Sequence, residues 1–192
     1  MQLSLIKKTN LRTIKVCTHG GVSLKKRRKT ARPLIPGLIT HVVFKSSKAK
    51  GGLSFYKHKR LVTKLLNEKK KKFFIEILDW VNMGNHLHLK VRFKDRTRFA
   101  QFLKSFTALL ARQITGAKRG NKFGKFWDGL VYTRVLLTKL EEYGLRGYFE
   151  ANHRQREYGY TERATFLKHF NQKIYKLKQI RAVNGSIEKI FV

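Results

Sequence analysis

His86 and His88 stand one residue apart in WVNMGNHLHLKVRF, the run from Trp80 to Phe93. Side chains on an extended strand alternate between faces, so both imidazoles point the same way, followed on that face by Lys90 and Arg92. Leu87, Leu89, Val91 and Phe93 take the opposite face, which must meet a core. Neutral imidazole is the commonest protein ligand for divalent metals, and two of them on neighbouring same-face positions can reach one ion. Two readings are open here: polar groups on a solvated sheet face, or half of a metal site. Two histidines alone do not complete such a site.

LRGYFEAN, Leu145–Asn152, offers the missing parts. Tyr148 and Asn152 are spaced one helical turn apart on one face. An Asn carbonyl oxygen can ligate a divalent cation, and a tyrosine hydroxyl can act as a covalent nucleophile. Laid over the His86/His88 face, the pair would complete a His-His-Asn metal site with a phenol beside it. That set of groups suits cleavage of single-stranded DNA by in-line attack on phosphorus, with a 5′-phosphotyrosine and a free 3′-OH as products. Tyr158 with Glu162 has the same spacing and is the runner-up nucleophile. His41, on an apolar run of its own, is either structural or a contact to DNA or the site.

These residues need a scaffold. GLITHVVFK reads as a first strand, and Ser54 to Asn67 has helical spacing of Tyr56, Leu61, Leu65 and Leu66. FFIEILDWV and HLHLKVRF, joined by MGN, read as a hairpin. From Asp95 to Thr115, Phe99, Phe102, Leu103, Phe106, Leu110 and Ile114 form one apolar helical stripe. LVYTRVLL is a fourth strand, and Thr138 with Glu141 is a capping-box pattern opening a helix to about Asn152. Thr161 starts a last helix. The order β-α-β-β-α-β-α-α gives an α+β fold, an antiparallel sheet of about four to five strands covered by helices. The chain divides into a basic N-terminal arm (1–33), a catalytic domain (34–158) and a C-terminal helical extension (159–192).

Forty-four Lys and Arg against eleven Asp and Glu give a net charge of +33 over 192 residues. A folded domain tolerates such self-repulsion most readily beside a polyanion, of which nucleic acid is the commonest. Lys25, Lys26, Arg27 and Arg28 in the arm, Lys90 and Arg92 on the histidine strand, and Lys118, Arg119, Lys122 and Lys125 in a Gly-rich loop are the candidate DNA contacts. Trp127, with Phe123 and Phe126 nearby, would stack on bases or plug the core. The lone Cys17 excludes an internal disulfide and a Cys-based zinc site. No apolar run is long enough for a membrane span and the start lacks a signal-peptide order, so a soluble, intracellular protein is expected.

NMGNHLHLKV resembles the MxNHxH strand of single-tyrosine HUH transposases, the REP-associated tyrosine transposases and relatives from small bacterial insertion sequences. GYFEAN resembles the helix carrying their tyrosine, and GKFWDGLVYTRV occupies the place of their G-x-hydrophobic-W/F segment and next strand. The ordered match spans about residues 32 to 158. It implies an HUH-endonuclease, ferredoxin-like fold, with His86 and His88 as HUH ligands, Asn152 as third ligand and Tyr148 as nucleophile. It further implies magnesium or manganese as cofactor, single-stranded or hairpin DNA as partner, and a bacterial, nucleoid-associated cytoplasmic setting. Relatives often continue the tyrosine helix as Asn-Pro-Val, whereas Asn152-His153-Arg154 follows here. Without the proline the helix can run on and shift Asn152, or His153 can take over as ligand. Neither monomer with Tyr148 acting in cis nor homodimer exchanging the helix is favoured. The rival reading is a non-catalytic, highly basic nucleic-acid-binding protein, ribosomal-like or a decayed transposase.

Overall fold

The computed structural model describes residues 18–21 and 32–184. Five strands form one antiparallel sheet: β1 (Thr18–His19), β2 (Thr40–Lys45), β3 (Ile75–Asn82), β4 (His86–Phe93) and β5 (Tyr132–Val135), in the spatial order β1-β5-β2-β4-β3. The helices are α1 (Lys59–Phe73), α2 (Arg96–Thr115), α3 (Lys139–Tyr158) and α4 (Tyr160–Asn184). From β2 to β5 the chain runs β-α-β-β-α-β, and β2 and β4 sit inside the sheet, which is the ferredoxin-like arrangement.

Each face of the sheet has its own cover. Val42 and Phe44 of β2 lie opposite Leu89 and Leu87 of β4, and all four are fully buried. Against this face pack Val62, Leu65 and Leu66 of α1 and the α2 stripe from Phe99 to Ile114. On the other face Val81 joins Ile39, Leu136 and, from α3, Leu145 and Phe149 in a smaller cluster. The alternation in HLHLKVRF therefore does what period-two patterning requires, burying its leucines under α1 and α2 and turning its histidines toward α3.

Several boundaries move for identifiable reasons. Phe55–His58 forms turns, so α1 starts at Lys59, and it runs on through Lys70, Lys71 and Lys72 in its last turn. Cations there complement the carbonyl end of the helix dipole. Phe74, in the left-handed conformation (φ 55°), closes α1. Thr18–His19 pairs with Arg134 and Thr133 of β5, so part of the expected arm is the edge strand. Gly20 is required there, because a Cβ would lie 2.2 Å from the Val131 carbonyl oxygen. Lys25, Lys26, Arg27 and Arg28 lie outside the described residues.

The turn between β3 and β4 sets His86 in place. Asn82 is buried and donates from Nδ2 to the Phe55 carbonyl at 2.8 Å, while its Oδ1 accepts from the Gly84 amide at 2.9 Å. Gly84 (φ +84°) lies so close to Tyr56 that a Cβ would come within 2.8 Å of the ring. No helix among the described residues is long and apolar enough to cross a membrane.

Candidate active site on the histidine face

β2 and β4 pair with Val43 opposite His88, His41 opposite Lys90 and Lys45 opposite His86. Directly opposed residues share a face, so His41 and Lys45 join the His86/His88 pair. The His41 and His88 rings stack with centroids 5.3 Å apart, and His41 Nε2 lies 3.1 Å from His88 Nδ1. His86 meets His88 edge-on at 4.8 Å and donates from Nδ1 to Asn85 Oδ1 at 2.6 Å.

The tyrosine helix lies over this face. Thr138 caps α3, its hydroxyl accepting from the Glu141 amide while the Glu141 side chain returns to the cap backbone. Leu145, Tyr148, Phe149 and Asn152 recur at three- and four-residue intervals, the spacing of one helical stripe. The Tyr148 ring is edge-on to His88 at 5.3 Å and to His41 at 6.1 Å, and Phe149 contacts both imidazoles. Asn152 is 1% exposed. Lys90 donates to Glu142 at 2.9 Å with its side chain only 14% exposed, tying the sheet to the first turns of α3.

The missing proline has a definite outcome. α3 continues through His153 and Arg154 to Tyr158, and Asn152 stays on the buried stripe with Tyr148. His153 turns to Asp79 of β3, at 3.4 Å, rather than to the histidine pair. Tyr158 is exposed at the helix end, whereas Tyr148 is the tyrosine set against His88. Gly147, which weakens a helix in isolation, is where α4 crosses: a Cβ there would overlap the Phe170 ring at 2.1 Å. Tyr143 stacks on the same Phe170 at 5.1 Å.

Burial first, then the charge of neighbouring groups, holds all three imidazoles below their ordinary pKa. His88 is depressed by burial, His41, His86 and Arg163; His86 by burial, Lys45 and Arg163; His41 by burial and Arg134. All three rings are therefore neutral near pH 7, the form that ligates metal. Among the described residues no three His, Cys, Asp or Glu side chains converge as a metal-binding group. A third ligand, were a metal held here, would come from another residue type. Among the described residues, His88 Nε2 and Asn152 Nδ2 are both buried without a hydrogen-bond partner. A half turn of the amide puts its oxygen where the nitrogen stands. With both Nδ1 atoms engaged by neighbours, the Nε2 atoms of His86 and His88 are left as lone pairs and, with an Asn152 oxygen, are of the chemical type that a divalent cation takes as ligands.

Access to Tyr148 is through an open cleft of about 460 Å³ lined by His41, Tyr132, Arg134, Leu145 and Tyr148, with Lys178 of α4 at its rim. Arg163, also of α4, sits 5.9 Å from the Tyr148 ring. The sequence does not single out Lys45, Arg163 or Tyr132, since only strand register and the packing of α4 bring them here.

Two of the expected DNA contacts are engaged within the fold. Lys90 pairs with Glu142 and so straps α3 to the sheet. Trp127 donates from its indole to the Thr107 carbonyl at 3.1 Å and packs among Phe44, Phe55 and Phe126, so it belongs to the core. Arg92 is exposed and paired with Glu76 at 3.1 Å. Lys118, Arg119 and Lys122 line an open hollow of about 880 Å³ with Arg112 and Phe123, and Lys125 is exposed beside it. Phe123, 37% exposed with Lys48 above its ring, is the aromatic of that loop that remains open to solvent.

No protein-family model matches the chain, and no curated protein matches it in sequence. Its fold is found in a solved transposase structure. A REP-associated tyrosine transposase bound to a REP hairpin is similar at 14% identity, with a TM-score of 0.51 over 70% of this chain and 76% of that one. A candidate transposase from Deinococcus radiodurans R1 is similar at 15% identity over 65% of this chain and 98% of that one, at a TM-score of 0.41 that is too low to build on. At such identities the shared property is the fold: the α+β sheet of the tyrosine transposase.

Proposed function

We propose that this chain is a transposase-like enzyme that nicks single-stranded or hairpin DNA through Tyr148. The observation that carries the reading is the Tyr148 ring against buried His88, with the Asn152 amide nitrogen, buried and without a partner among the described residues, one turn further along the same helix. His86, His88 and Asn152 would hold a magnesium or manganese ion, whose charge would offset the negative charge that builds on the scissile phosphate. The Tyr148 oxygen forms a bond to phosphorus as the bond to the 3′ oxygen breaks. The phenol loses its proton and the departing oxygen gains one, leaving a 5′-phosphotyrosine and a 3′-OH. Reversal by another 3′-OH rejoins the strand, so energy stored in the adduct permits transfer as well as cleavage. Lys45 and Arg163 add positive charge around the phosphate. Tyr148 and His88 meet within one chain, which supports action in cis by a monomer. Such an enzyme would work at the bacterial nucleoid.

The test uses a pool of labelled single-stranded and hairpin oligonucleotides, because the target sequence is not read from the protein. Incubation with manganese should give a covalent adduct that survives denaturing electrophoresis. Chelation, or substitution of His86 and His88 together by Ala, should abolish it. If DNA binding persists and no adduct ever forms, the rival reading of a non-catalytic basic binder stands.

A further inference from the structure

We infer that His41 is a positioning residue for His88: it accepts a hydrogen bond from His88 Nδ1 and so keeps the His88 Nε2 lone pair unprotonated and aimed at the space under α3. The inference rests on the metal reading of the site for its consequence, but not for the hydrogen bond itself. Two imidazole nitrogens 3.1 Å apart share one proton between them, so one ring donates and the other accepts. Were His41 the donor, His88 would carry its own proton on Nε2, a buried N–H with no acceptor. Buried donors without partners are rarer than buried acceptors without partners, because the desolvated N–H loses more. With His88 donating, the orphan is a bare lone pair, and the remaining His41 proton sits on a ring that borders the open cleft.

The surroundings hold the donor and acceptor in line. His41 is clamped edge-on by Tyr132 at 6.2 Å, Tyr148 at 6.1 Å and Phe149 at 5.7 Å, and its ring lies within 18° of the His88 plane. His86 has the parallel device in Asn85, whose oxygen can only accept, which commits His86 to a proton on Nδ1 and a lone pair on Nε2. Both histidines then keep the same nitrogen, Nε2, as the free lone pair, one oriented by an amide from the preceding residue and the other by a ring on the neighbouring strand. Groups that fix the tautomer of a ligating histidine are generally worth about 10–100-fold in metal affinity.

Two variants separate orientation from packing. His41→Phe keeps a ring of similar shape and removes the acceptor, whereas His41→Gln keeps an acceptor near the Nε2 position. Histidine 15N NMR on the metal-free parent should find His88 protonated on Nδ1, and in His41→Phe a mixture with Nε2-protonated ring. Manganese titration followed by electron paramagnetic resonance should show about 10–100-fold weaker binding for His41→Phe, with His41→Gln recovering most of it. A circular-dichroism melt confirms that each variant is folded. A parent His88 protonated on Nε2, or a folded His41→Phe that binds manganese as tightly as the parent while His88→Ala does not, overturns the inference. If the parent binds manganese no better than His88→Ala, the metal reading has failed instead, and the metal-free tautomer still decides the role of His41.

Discussion

Asn152 carries a contradiction that function resolves. A buried amide nitrogen without a partner costs about 1–3 kcal/mol, and nothing in the packing of α3 needs an amide there. Asn152→Leu should therefore leave the metal-free protein as stable or raise its melting temperature, while removing any stabilisation by manganese; thermal melts with and without the ion check both. A fall in metal-free stability would mean that the amide is part of the fold. The histidines carry the complementary cost. In the unfolded chain they take up protons below about pH 6.5. In the fold His41 resists protonation down to about 4 and His88 to about 2, burial being the first cause for each. The unfolded state thus binds more protons than the folded one as pH falls through that window, so stability declines from pH 6.5 downward. Denaturant titrations of the metal-free protein between pH 7 and 5 should show this decline, and His41→Phe should make it shallower. Above pH 7 both rings are neutral in either state and the contribution vanishes.

Among the elements, α3 is held from both sides. Lys90 and the Leu145–Phe149 stripe tie it to the sheet, and Phe170 of α4 seats on Gly147. Gly147→Ala places a methyl in the Phe170 ring, so α4 must lift or the ring must turn. It should destabilise the protein in spite of the better helix propensity of Ala, which alone is worth about 1 kcal/mol in the other direction. Adding Phe170→Ala should recover part of that stability, a coupling that a double-mutant cycle measures. What was legible in the sequence follows from locality. The alternation of His86–Phe93, the apolar stripe of α2 and the Thr138/Glu141 capping box are patterns within one element, and the structure holds each of them in place. What depends on two elements was not legible: antiparallel register puts His41 and Lys45 beside the pair, a crossing helix makes Gly147 a seat rather than a weak point, and tertiary packing takes Trp127 into the core. The pairing of Lys90 was hidden for the same reason, since its partner Glu142 is far along the chain.

For the whole molecule, the net charge of +33 bears on affinity and not on fold. DNA binding should weaken steeply with salt. Replacing Lys118, Arg119, Lys122 and Lys125 by Ala should reduce the slope of log affinity against log salt by up to about 3, at about 0.7 for each single-strand phosphate left without its cation. An unchanged slope would place the DNA elsewhere on the surface. A sheet with α1 and α2 on one face and the tyrosine helix on the other leaves the cleft beside Tyr148 open at the rim formed by α4, where such a strand would enter. The most direct measurement is to isolate the covalent protein–DNA adduct, digest both components and locate the modified peptide by mass spectrometry. The nucleotide should sit on Tyr148, in the peptide spanning Gly147 to Arg154, and Tyr148→Phe should yield no adduct. A nucleotide on Tyr158 or Tyr132, or an adduct that persists in Tyr148→Phe, would contradict the assignment of Tyr148 as nucleophile.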